Sequence, residues 1–146
     1  VTGVQTCALP ISAALEHMIY HESGLLGVSG TASDMRTLLA SEDPRAAEAI
    51  DLFVYRIGRE IGSLTAALGG LDALVFTGGI GENAASVRAR ICEGFEWAGL
   101  RLDPGRNAAA AAEARISEAG STLHAWVIPT DEERLLAEQA LTILRR

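Results

Sequence analysis

The chain has 146 residues, enough for a domain with a core of its own. An apolar fraction of 49% with 21% charged residues is the composition of a soluble globular protein, and a net charge of −7 argues against a nucleic-acid surface, which would be basic. No apolar run approaches the roughly 20 residues that span a bilayer, so a cytoplasmic protein with no membrane partner is expected.

Residues 1–11 show neither a helical nor a strand period and carry no charge. They also read as the in-frame translation of a common sequencing adapter. The expectation is a non-native tail over 1–11, with 12–146 a fragment that begins inside a gene. With Cys7 set aside, Cys92 is the one native cysteine, which fits a reducing compartment.

Ser12–Tyr20 has helical character. Glu22–Arg36 is rich in Gly and Ser and reads as loop with a short extended piece, ending in a helix start capped by Ser33 or Asp34. Asp43 and Pro44 suit the N-cap and first position of the longest helix. There Ile50, Phe53, Val54, Ile57, Ile61, Leu64 and Leu68 recur at three and four, predicting one buried face, and Gly69-Gly70 stops it.

Leu71–Thr77 reads as a buried strand. After a Gly-Gly-Ile-Gly turn comes a helix with Val87, Ile91, Phe95 and Ala98 inside, closing at Gly99. Leu100–Asp103 suits a short edge strand, and Ala108–Ala114 a helix or connector. Thr122–Ile128 alternates as a strand. A last helix runs from Asp131 to about Leu144, with Leu136, Ala140, Ile143 and Leu144 on its inner side. This order implies an α/β fold with parallel-type strands and crossover helices.

The chemistry concentrates at two strand-to-helix junctions. In Leu74-Val-Phe-Thr-Gly-Gly-Ile-Gly-Glu-Asn83 a strand meets a glycine turn and then a helix, an arrangement that brings backbone N–H groups close to a nucleotide. Ligand-free proteins also use such turns. The segment matches neither G-x-G-x-x-G, because Ala84 takes the third glycine's place, nor G-x-x-x-x-G-K-[ST]. The second junction, Pro129-Thr-Asp-Glu-Glu133, is acidic. In a parallel sheet both fall on the carboxyl edge, and the pair suits a nucleotide with Mg²⁺, which takes one or two carboxylates plus phosphate oxygens and water. Thr130-x-x-Glu133 reads as a capping box, which leaves Glu132 as the metal candidate. His17, His21 and His124 read as structural or surface residues. Cys92 reads as a buried apolar residue, and Trp97 and Trp126 as packing residues.

Together, Ser23-Gly-Leu-Leu-Gly-Val-Ser-Gly-x-x-Ser-Asp-Met-Arg36, the decapeptide 74–83 and Val127-Ile-Pro-Thr-Asp-Glu-Glu133 resemble the C-terminal portion of the acetate kinase family, in its order and spacing over nearly all of Ser12–Arg146. The resemblance implies an incomplete ribonuclease H-like domain of the actin-like ATPase type, with the nucleotide in a cleft between two such domains. It implies reversible transfer of the ATP γ-phosphoryl group to acetate, with ATP or ADP and Mg²⁺ as cofactors, and a homodimer of the intact protein. Asp34 would meet the ribose, Met35 would pack near the base, and Arg36 belongs to the same adenosine-lining segment. Gly79, Ile80 and Asn83 would cover adenine and ribose, and Glu132 would serve the Mg²⁺ site. The family's catalytic arginines, histidine and aspartate have no counterpart in this chain, so no catalytic residue is assigned within it. A propionate or butyrate kinase of the same superfamily, and a non-catalytic actin-like nucleotide-binding module, are the alternatives.

Overall fold

A computed structural model describes the backbone of residues 3–144; the side chains of residues 3–10, 132 and 135 lie outside the description. The chain divides into two compact units, one ending at Ile57 and one beginning at Gly58.

The first unit is helical: α1 (Gly3–His21), α2 (Gly24–Ser29), α3 (Met35–Leu39) and the first half of α4 (Pro44–Leu68). Helix α1 extends across most of the stretch that shows no period. Its described side chains, from Ile11 to His21, are all exposed. The extended piece expected within 22–36 is instead α2. Its flanking glycines, Gly24 at φ +64 and Gly30 at φ +65, make the turns, and Gly30 N–H closes the helix on Leu26 O at 2.7 Å. Glycines at the ends of a short helix imitate the composition of a loop. Asp34, not Ser33, caps α3. Met35, Leu38, Ala46, Ala49 and Ile50 form this unit's core.

Asp43 and Pro44 open α4 as expected, and Gly69 and Gly70, both at positive φ, end it. Its stripe is only partly covered. Ile50 is buried and Phe53, Val54, Ile57 and Ile61 are half-buried, but Leu64 and Leu68 are exposed.

The second unit holds a three-stranded sheet in the order β1-β3-β2, where β1 is Ala73–Phe76, β2 Ala114–Arg115 and β3 His124–Val127. Strands β1 and β3 are parallel, in register from Ala73 opposite His124 to Phe76 opposite Val127. The chain between them carries α5 (Gly78–Asn83), α6 (Ala85–Glu93), a 3-10 turn at Glu96–Ala98 and α7 (Pro104–Ala109). Strand β2, too short to leave a sequence period, adds antiparallel to β3 and makes the sheet mixed. Leu100–Asp103 contributes single bridges at Leu100 and Leu102 rather than a strand, because Asp103 turns aside to cap α7.

Leu74, Val87, Ile91, Phe95, Leu123, Ala125 and Val127 fill the core on one side of this sheet. Strand β1 lies at the sheet's edge, so of its four residues only Leu74 is buried. Helix α8 (Glu132–Leu144) has no buried side chain among its described residues; Leu136, Ala140, Ile143 and Leu144 are all exposed, contrary to the expected inner face. Trp97 also lies outside the core, 73% exposed, with its indole N–H on Gly94 O at 2.8 Å. Among the described residues, no helix is long and apolar enough to cross a membrane.

Candidate functional site

Because β1 and β3 are parallel, the chain leaves both at the same sheet edge. The glycine junction follows Phe76 and the acidic junction follows Val127. The first is not an open turn. Gly78 to Asn83 wind directly into α5 after the extended Thr77. Gly78 requires its lack of a side chain, since its φ of +69 lies in the left-handed region. Gly81 requires it for another reason: a Cβ there would sit 3.1 Å from the carbonyl carbon of Phe76, where α5 packs on the end of β1. Gly79 is different. Its φ is ordinary and a Cβ would meet nothing, so its bareness serves no packing need within the chain.

No side chain of Thr77 caps α5. The carboxylate of Glu82 reaches back instead, and its Oε1 accepts the Gly78 N–H at 2.8 Å. The same oxygen accepts the Thr130 N–H at 2.9 Å and the Thr130 hydroxyl at 3.1 Å. One carboxylate therefore ties the two junctions together. These donors, led by the Thr130 N–H, hold the Glu82 carboxyl below its ordinary pKa against the opposing effect of desolvation. Thr130 is thus occupied by Glu82 and does not form the expected capping box with Glu133. The cap of α8 is Asp131, whose Oδ1 accepts the Arg134 N–H at 3.1 Å.

Beneath the glycine junction lies Arg88, 2% exposed. Its guanidinium donates to Asn107 Oδ1 at 2.7 Å, Asn107 O at 2.6 Å, Gly81 O at 2.8 Å and Glu82 O at 2.7 Å. Asn107 in turn donates to Ala85 O at 2.8 Å. A buried cation is costly unless it is hydrogen-bonded, and here Asn107 and the carbonyls at the C-terminal end of α5 supply the acceptors. Burial pulls the Arg88 pKa down. One turn further along α6, Cys92 is fully buried and its thiol is pushed up to about 12, chiefly by desolvation, so it is an inert packing residue as expected. Glu82, Asn83, Arg88, Val127 and Pro129 line a cavity of about 240 Å³ between the two junctions.

The expected site residues divide between the units. In the second, Gly79 and Asn83 are exposed and Ile80 half-buried, and Asn83 Nδ2 donates to Gly79 O at 2.9 Å, bracing the turn. Glu132 is the first residue of α8, at the same edge as Gly79; its side chain lies outside the described residues. In the first, Asp34 and Arg36 are exposed at the start of α3. Asp34 Oδ2 accepts from the N–H and the hydroxyl of Thr37, both at 2.9 Å, which lowers its pKa. Met35 is only 4% exposed and belongs to the core. His17 pairs with Glu22 on the surface, and His124 Nδ1 meets Arg115 at 2.8 Å. Glu82 and Arg88 went unread in the sequence. The available signal was an arginine on the inner stripe Ala84, Arg88, Cys92, Phe95, all of it buried.

The sequence pattern of the acetokinase family matches residues 5–138. The chain belongs to the acetokinase family. It is 63% identical over 123 residues to the acetate kinase of Rhodopseudomonas palustris, covering 84% of this chain and 31% of that protein. Among solved structures, the acetate kinase of Porphyromonas gingivalis superposes with a TM-score of 0.82 at 37% identity, over 99% of this chain and 38% of its own. A propionate kinase from Francisella tularensis superposes with a TM-score of 0.73 at the same 37% identity, over 83% and 31%. The chain thus spans about a third of the length of the acetokinases it matches. Their likeness includes the α/β architecture, which is of the actin-like ATPase type expected.

Proposed function

We propose that this chain supplies the adenosine- and magnesium-binding part of an acetate kinase, an enzyme that transfers the ATP γ-phosphoryl group to acetate and back. The single observation that carries the proposal is the tied pair of junctions at the sheet's carboxyl edge, one bare at Gly79 and one opening α8 with Glu132. Gly79, Ile80 and Asn83 are the proposed adenosine contacts in the second unit. Asp34 and Arg36 are proposed contacts in the first, with the buried Met35 shaping the wall behind them.

Glu132 is the proposed Mg²⁺ ligand. The residue type fits the ion's habit, since Mg²⁺ takes one or two carboxylates with the remaining positions left to phosphate oxygens and water. When bound, Mg²⁺ neutralises charge on the transferring phosphates. The chain's own part is to hold the nucleoside in place, and no residue in it is assigned to the transfer step. The expected result is therefore saturable, magnesium-dependent binding of ADP by the purified chain, with no turnover of ATP and acetate above background. Turnover by the chain alone, or ADP binding indifferent to magnesium, would count against the proposal.

The second reading is a propionate kinase, favoured by the equal identity to the Francisella structure. The ratio of kcat/KM for acetate to that for propionate and butyrate, measured on the enzyme carrying this sequence, separates the two.

A further inference from the structure

We infer that Glu82 is a positioning residue that couples the two halves of the site, making the effect of magnesium on nucleotide binding depend on its carboxylate bridge. The inference rests on the magnesium–nucleotide function proposed for the chain.

The residues bridged are 48 positions apart. A helix cap would need only the bond from Gly78 N–H to Glu82 Oε1. The Thr130 N–H and hydroxyl on the same oxygen have no capping purpose in α5, and they take Thr130 away from the capping box its own sequence offers. What they accomplish is to fix the backbone two residues before Glu132 relative to the turn that bears Gly79 and Asn83. Arg88 holds the other end of that turn, donating to the carbonyls of Gly81 and Glu82 itself. Glu82 is thereby clamped from behind by its backbone and reaches forward with its side chain. The last backbone bond between the strands runs from Ile128 N–H to Phe76 O at 2.9 Å, and beyond it this bridge helps set the distance between the proposed nucleoside contacts and the backbone of the proposed metal ligand. Removing a group that orients a metal ligand without touching the ion typically costs about 10–100-fold in metal affinity.

Calorimetric titration of ADP, with and without Mg²⁺, tests this on the unaltered chain and on three variants. In the unaltered protein Mg²⁺ tightens binding. In Glu82→Ala that gain falls about tenfold, the loss typical when such an orienting group is removed, while magnesium-free affinity changes little. Glu82→Gln, which keeps an oxygen acceptor, retains most of the gain. Thr130→Val, which removes only the hydroxyl, loses part of it and serves if Glu82→Ala does not fold. A purely structural role would lower melting temperature and both affinities together and leave the magnesium gain intact, which overturns the inference alone. Absence of any magnesium gain in the unaltered protein overturns the proposed function and this inference with it.

Discussion

Helices α6 and α8 carry the same kind of apolar stripe, yet one is the heart of its unit and the other lies bare. In α6 the stripe Val87 and Ile91, continued by Phe95, is buried. In α8 the described apolar side chains all face outward, and Leu144 is 80% exposed. Periodicity therefore says which face of a helix wants cover; it does not say what supplies the cover. The junctions before the two helices differ in the same way. The one leading to α6 is fastened underneath by Arg88, whereas the one leading to α8 is held at Thr130 by Glu82 from across the edge.

The largest expected break in this contrast is Arg88→Ala. It leaves the Asn107, Gly81 and Glu82 acceptors without their donor in a buried site, and urea denaturation should show a loss of about 3 kcal/mol or more. Ile91→Ala should cost about 3 kcal/mol through the cavity it leaves, while Leu144→Ala in α8 should stay within about 0.5 kcal/mol in the same assay.

A finer cut separates the glycines. Gly78→Ala places a Cβ at φ +69 and should cost about 1–2 kcal/mol. Gly79→Ala meets open space and should leave stability unchanged or raised by about 0.5 kcal/mol. Its affinity for magnesium–ADP should nevertheless fall. A Gly79→Ala protein that binds nucleotide as before would show that the turn's bareness there is incidental.

The smallest effect is on acid stability. The Glu82 carboxyl sits below its ordinary 4.5 in the folded chain, so its contribution is fully present above that value and is lost as pH falls through the depressed one. Melting temperature against pH should therefore drop less steeply below pH 4.5 in Glu82→Gln than in the unaltered protein.

Much of the second unit was legible in the sequence. The strands at Ala73–Phe76 and His124–Val127, the stop at Gly69-Gly70 and the inert Cys92 all follow from local pattern. The bridge between the junctions was not legible, because Glu82 and Thr130 meet only once the parallel pairing places their corners side by side. Arg88 was hidden because charge is ordinarily read as exposure, and only the spacing Ala84, Arg88, Cys92 betrayed it. Strand β2 has two residues, too few for any alternation to register. Thr130 misled because a capping box is a local motif, and a carboxylate distant in sequence competed for it and won.

Amide chemical-shift mapping of the isotope-labelled chain titrated with magnesium and ADP tests the central claim most directly. The account predicts that Gly78 to Asn83 and Thr130 to Glu132 shift together and saturate at one concentration. Shifts confined to one of these corners, or found only elsewhere in the chain, would contradict it.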